Sequence, residues 1–335
     1  MTVPQHAEMW QACAIDINSL ELSGMSLTES DVAPLEIPHI QQIEVNQLQC
    51  LRVQNKRGEL LLALQGAQVL RYQQHGQEPL IWLSEEAAFE TGNAVRGGIP
   101  VCWPWFGDLM RNPPQVQSLH NGGRLPAHGL VRTIEWTLQE SAIDGDRVRL
   151  LLAIPATTES PSLRHLPQGL ELLLEIVLDD RLHLKLTTRN GSQQHLALTQ
   201  ALHSYFAVSD IINVTVEGLE GQSYIETLEG WAERQQKRDL VVSSETDRIY
   251  LDLPPRLTLR DDGWNRRIHI DASGSTSAVV WNPWVSKARR LSQFADDAWK
   301  HMLCIETANV MKDLVELAPG EEHTLGVTLT GEPMA

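Results

Sequence analysis

Cysteine is scarce in these 335 residues: Cys13, Cys50, Cys102 and Cys304 lie too far apart for a metal motif or a compact disulfide framework. That usage suits a reducing cytosol, and a cytoplasmic location is the expectation. Positive charge is also in short supply, with 27 Lys and Arg against 43 Asp and Glu, a formal net charge of −16. Such a balance argues against a nucleic-acid surface and against binding to acidic membranes. Any anionic ligand would need a local cluster of positive groups working against the overall field. No apolar run approaches a membrane span, and no charged start precedes an apolar stretch, so no targeting or anchoring segment is expected. The sequons at Asn190 and Asn213 are then chance matches. Long helical periodicity is rare, and there is no internal repeat, low-complexity tract or Gly/Ser/Pro-rich linker.

What is present is a strand-rich chain. Its hydrophobic content of 42% is ample for a core without metal or disulfide staples. Short β-type runs, such as 43–53, 59–64, 67–72, 147–154, 169–178, 181–188, 195–208, 301–307 and 323–330, are separated by Gly, Asn and polar turns. Asp179-Asp180 reads as a tight hairpin between two of them. Many strands with few short helices predict an all-β fold, a large sandwich of antiparallel sheets. Residues 1–40, polar and acidic and ending in Pro34 and Pro38, read as an N-terminal extension, and 41–335 as a single domain.

Two of those runs carry residues that an apolar strand does not call for. In Met302-Leu303-Cys304-Ile305-Glu306-Thr307-Ala308, alternation puts Met302, Cys304 and Glu306 on one face. If that face points inward, burial raises the pKa of Glu306. In Gln200-Ala201-Leu202-His203-Ser204-Tyr205-Phe206, the imidazole of His203 shares a face with Ala201 and Tyr205. A poised carboxylate and a histidine facing one cavity suit general acid–base chemistry at neutral pH. Taken alone, a histidine on an apolar strand is more often a satisfied core residue, while a buried glutamate costs several kcal/mol unless it finds a partner. Two further clusters bear positive charge. Arg96-Gly97-Gly98-Ile99-Pro100 puts a guanidinium beside two glycines that permit close backbone approach to a ligand. Leu125-Pro126-Ala127-His128-Gly129-Leu130-Val131-Arg132 flanks a turn with His128 and Arg132. Each has a bland reading as a structural turn. Ten tryptophans outnumber the four tyrosines and four phenylalanines, and a place in the β core is their commoner role.

Together the motifs carry a resemblance. Residues 96–107, 125–132, Leu202-His203-Ser204-Tyr205-Phe206, Glu245-Thr246-Asp247-Arg248-Ile249-Tyr250, Val280-Trp281-Asn282-Pro283-Trp284 and Cys304-Ile305-Glu306 resemble, in order, the glucose-6-phosphate 1-epimerases, or hexose-6-phosphate mutarotases. The match covers roughly residues 45–330. It implies the galactose-mutarotase-like β-supersandwich and a hexose 6-phosphate as substrate. It also implies His203 as general acid, Glu306 as base, Arg96 and Arg132 as substrate contacts for the phosphate, Asp247 as a sugar contact and His128 in a supporting role. Many relatives carry glutamine where this chain has Ala127, a departure that bears on the choice of sugar phosphate. The implied reaction interconverts α and β anomers by opening and closing the hemiacetal ring. It needs no metal, nucleotide or redox cofactor, and the expected protein is a monomer. The alternatives are an aldose 1-epimerase acting on unphosphorylated sugar, told apart by whether Arg96 and Arg132 converge, and a non-catalytic carbohydrate-binding module. A glycosidase using Asp247 and Glu306 as a carboxylate pair is the remaining one.

Overall fold

The computed structural model describes residues 27–28, 39–118 and 125–334. Among them the regular secondary structure is almost wholly antiparallel strand. A five-stranded meander begins with Leu27–Thr28 and runs through Ile40–Val45, Leu48–Gln54, Gly58–Ala63 and Gln68–Gln74. One eight-stranded sheet has the order Val214–Glu217, Arg256–Asp261, Arg266–Ser273, Glu322–Pro333, Leu182–Asn190, Leu170–Leu178, Arg147–Ala153, Thr137–Asp144. The other runs Ala232–Gln235, Ser223–Glu226, Thr246–Leu251, Ser277–Asn282, Met302–Asn309, Gln200–Leu202, Val101–Cys102, with Tyr205–Ala207 also paired to Met302–Asn309.

Alternation along the strands supplies the main core. Leu150, Leu172 and Leu184 from the first eight-stranded sheet, and Val280, Leu303 and Ile305 from the second, join Leu60 and Val69 of the meander in one buried cluster. Burying a Leu or Ile side chain contributes about 1.5–3 kcal/mol, so this cluster dominates the favourable side of folding. Met302–Asn309 is buried at every position, because both of its faces are covered. Leu303 and Ile305 enter the main core, while Met302 and Cys304 join a smaller cluster with Tyr205, Ala288 and Phe294 on the opposite face.

Several predicted runs are subdivided. The run 43–53 is a hairpin of Ile40–Val45 and Leu48–Gln54, turned at Asn46, which adopts φ 52°. The run 195–208 is three short strands, Leu196–Leu198, Gln200–Leu202 and Tyr205–Ala207. Asp179 does sit in the turn joining Leu170–Leu178 to Leu182–Asn190, its amide donating to the Arg181 carbonyl at 3.0 Å. The N-terminal extension lies outside the described residues except Leu27–Thr28, which pairs with Val45 and Glu44 at the meander edge, and residues 39–40, where Ile40 already opens the strand Ile40–Val45. Trp103, Trp105 and Trp136 are fully buried, and their indole N–H groups donate to Thr188 Oγ1, the Pro126 carbonyl and the Val131 carbonyl. They are core residues, as the bland reading has it.

Candidate active site

Strand register brings the two unusual residues together. Leu202 pairs with Thr307 and Tyr205 with Cys304, so counting inward places His203 directly opposite Glu306. Opposed residues of an antiparallel pair lie on the same face with Cβ atoms about 4.5–5.5 Å apart. The side chains meet accordingly: His203 Nε2 lies 3.4 Å from Glu306 Oε1. Neither is a satisfied core residue in the ordinary sense. His203 Nδ1 and Glu306 Oε2 are buried without a hydrogen-bond partner, a costly arrangement that structural burial alone does not explain.

The local backbone explains how a histidine is held there. Between its two short strands the chain is pinned by His203 N donating to the Pro100 carbonyl at 3.0 Å and Tyr205 N donating to the Gly98 carbonyl at 3.0 Å. The Tyr205 ring lies parallel to the imidazole, with centroids 4.8 Å apart and an interplanar angle of 6°. Trp82 stacks behind Tyr205 in turn, so the imidazole plane is fixed by an aromatic column. Phe106 and His128 close the other side, their ring centroids 6.4 Å and 5.5 Å from that of His203.

The positive groups border the same place. Arg96 Nη1 donates to the Tyr205 hydroxyl at 3.4 Å, and Arg132 Nη2 donates to the Ala127 carbonyl at 2.9 Å. Ala127 thus takes part through its backbone. His128 sits at φ 65° and accepts the Gly107 N–H at Nδ1, 3.3 Å away. The following Gly129 packs against Trp103, whose carbonyl would collide with any Cβ there. Gly97 and Gly98 serve the same purpose: a Cβ on Gly97 would meet the Trp82 carbonyl at 2.8 Å, and one on Gly98 the Val69 carbonyl. The expectation that this pair admits a ligand is corrected, since what approaches these glycines is the protein's own backbone.

Across the sheet, Asp247 pairs with Trp281, and Trp281 with Cys304, which places all three on the face of Glu306. Lys287 reaches back to this face from the short helix Trp284–Ala288. Its Nζ is 3.3 Å from Glu245 Oε1 and 3.8 Å from Asp247 Oδ2, over the Trp281 ring. Tyr205, Phe106 and Lys287 are the residues that reading the sequence did not single out. Tyr205 had a signal, because it shares a face with His203 by simple alternation.

The electrostatics follow from burial and these charges. Desolvation first, and then the Asp247 carboxylate, push Glu306 well above the ordinary carboxylate range. Desolvation, His128 and the guanidiniums of Arg132 and Arg96 hold His203 well below the usual imidazole value. Burial and the same two arginines lower His128 to about 3. Both guanidiniums therefore act on both imidazoles, and they border one site. Asp247 is raised by desolvation, which outweighs the opposing pull of Lys287. Burial thus favours the uncharged pair, with one proton held on the Glu306 carboxyl and His203 neutral. Away from this site, a wide surface depression of about 730 Å³ lies over Gly274–Thr276 and 313–317. It is open to solvent and contains none of these residues.

The fold is that of the galactose mutarotases. A Clostridium acetobutylicum structure described as a galactose mutarotase-like protein superimposes with a TM-score of 0.70 over 88% of this chain and 98% of its own, at 17% identity. A Salmonella typhimurium structure described as a "putative mutarotase" gives a TM-score of 0.80 at 27% identity, covering 92% of this chain and 97% of that one. Residues 49–330 match the aldose 1-epimerase family, and the chain belongs to that family of isomerases. Among curated proteins, one from Cenchrus ciliaris is 32% identical over 81% of this chain and 80% of its own length. One from Escherichia coli K12 is 31% identical over 81% and 86%. Both bear the name "putative glucose-6-phosphate 1-epimerase".

Proposed function

We propose that the protein interconverts the α and β anomers of a hexose 6-phosphate, as a glucose-6-phosphate 1-epimerase. In this reading it works as a cytoplasmic monomer whose residues 41–335 form one domain. The observation that carries it is the apposition of His203 and Glu306, 3.4 Å apart on one buried face, in a site that two arginines border. The names of the curated relatives support the phosphorylated substrate.

In the hemiacetal, the C1 hydroxyl oxygen and the ring oxygen are attached to the same carbon. A donor and an acceptor a few ångströms apart can therefore serve both. Glu306, as carboxylate, takes the proton of the C1 hydroxyl while imidazolium His203 delivers one to the ring oxygen. The bond between C1 and the ring oxygen breaks as the aldehyde C=O forms. Rotation about C1–C2 presents the other face of the carbonyl. Closure returns each proton to the group that held it, so the pair ends as it began. One proton on the pair suffices, and burial lets a carboxyl and an imidazole trade it near neutral pH. Arg96 and Arg132 bind the phosphate, Asp247 holds a sugar hydroxyl, and His128, kept neutral, lines the site beside His203.

Arg96→Ala and Arg132→Ala test the phosphate assignment. A charge-assisted hydrogen bond contributes about 1.5–3 kcal/mol, so each change should lower kcat/KM for glucose 6-phosphate about 10- to 100-fold. Glucose itself should be turned over almost as before. Equal losses on both sugars would show that the arginines do not read phosphate, and would favour an aldose 1-epimerase acting on plain sugar.

A further inference from the structure

The same face carries a third donor that the proton transfer does not use. Cys304 is fully buried, two residues before Glu306 on its strand and opposite Tyr205. A nitrogen of His203, the sulfur of Cys304 and a carboxyl oxygen of Glu306 all lie within 4.8 Å of one another. These residues are 8%, 0% and 1% exposed, and His203 Nδ1 and Glu306 Oε2 have no partner among the described residues.

We propose that His203, Cys304 and Glu306 form a binding site for a thiophilic divalent cation, Zn²⁺ being the representative, and that its occupation shuts off anomerisation. Zinc is bound by imidazole nitrogen and carboxylate oxygen at about 2.0–2.2 Å and by thiolate at about 2.3 Å, close to tetrahedrally. Two such N and O ligands are then about 3.3–3.5 Å apart, and the observed separation of Nε2 and Oε1 is 3.4 Å. The mix of one soft sulfur, one imidazole and one carboxylate selects Zn²⁺ over Mg²⁺ or Ca²⁺, which take oxygen. Charge is balanced as well. Binding releases the thiol proton and the one proton that the His203–Glu306 pair shares, from whichever of the two holds it, so thiolate and carboxylate cancel the two charges of the cation. The neighbouring Arg96 and Arg132 therefore face no added net charge. Three protein ligands leave a coordination position for solvent or a sugar hydroxyl.

Ligation rests on geometry alone, whereas inhibition rests on the acid–base reading above, because the ion occupies the Nε2 and Oε1 atoms that move protons. The two are separable by experiment. Cobalt(II) added to the purified protein should produce a near-ultraviolet thiolate-to-metal charge-transfer band, and Zn²⁺ should displace it. Zn²⁺ should inhibit anomer exchange over the same range in which it binds. Losing even an outer partner of a ligand costs about 10–100-fold in metal affinity, so Cys304→Ala should weaken Zn²⁺ binding at least ten-fold with basal turnover retained. Cys50→Ala, in a different cluster, should leave binding unchanged. No cobalt band, or equal Zn²⁺ affinity in Cys304→Ala, would overturn the site. Binding with undiminished turnover would uphold the site and count against the proton roles of His203 and Glu306.

Discussion

Replacing Glu306 by glutamine separates what this side chain does for the reaction from what it costs the fold. The amide matches the carboxyl in shape but takes up no proton. A positioned acid or base is worth about 10²–10⁴ in rate, or about 2.7–5.4 kcal/mol of transition-state stabilisation. Turnover should fall by that factor. Stability should move the other way. Glu306 is 1% exposed, its Oε2 has no partner, and its pKa in the folded chain is raised by desolvation. A group of that kind stabilises the fold fully below its unfolded pKa of about 4.3 and loses that contribution as pH rises towards the folded value. At pH 7 the carboxyl is therefore a burden that glutamine does not carry. Thermal unfolding of Glu306→Gln should occur at an equal or higher temperature than wild type at pH 7, with the gain vanishing near pH 4. Polarimetry or exchange NMR reads the rate, and calorimetry reads Tm. Turnover within ten-fold of wild type would refute the base assignment, and a Tm several degrees lower would refute the account of the burial.

Other expectations follow from the same geometry. Xylose, which lacks the C6 carbon and phosphate of glucose 6-phosphate, should be a poor substrate that added phosphite dianion activates. The anion offsets the Arg96 and Arg132 charges that depress His203 and supplies remote binding energy; no activation would argue against a phosphate site there. Tyr205→Leu removes the ring stacked on His203, and at about 0.5–1.5 kcal/mol for an aromatic pair kcat should drop about 2- to 10-fold. Tyr205→Phe should keep kcat and raise KM for the sugar phosphate, since only the Arg96 hydrogen bond is lost. Gly129→Ala should destabilise the protein by about 1–3 kcal/mol in denaturant unfolding, because φ +80° is unfavourable and the new methyl meets the Trp103 carbonyl.

Much of the site is legible in the sequence because strand periodicity is local. Two-residue alternation puts Glu306 and Cys304 on one face and His203 and Tyr205 on another run's face. It cannot say that the two runs are neighbours in register, since that depends on sheet pairing between residues a hundred positions apart. The resemblance supplied the missing link. The Lys287 contacts were hidden for the same reason: Lys287 lies in the helix Trp284–Ala288, Asp247 on the strand Thr246–Leu251 and Glu245 just before it, and spacing within the chain gives no hint of that proximity. Gly97 and Gly98 mislead differently. Glycine signals close approach, but its side-chain-free surface does not reveal whether a ligand or the main chain comes near. The hairpin at Asn46 was readable in principle from a residue that tolerates the left-handed region, and apolar residues on both sides masked it.

Anomer-exchange NMR on the wild-type protein, with glucose 6-phosphate beside glucose and galactose, addresses the central claim most directly. Catalysed exchange between the α and β signals of the phosphorylated sugar, at a kcat/KM well above that for either plain sugar, is the predicted result. Exchange of glucose 6-phosphate no faster than without protein would contradict it.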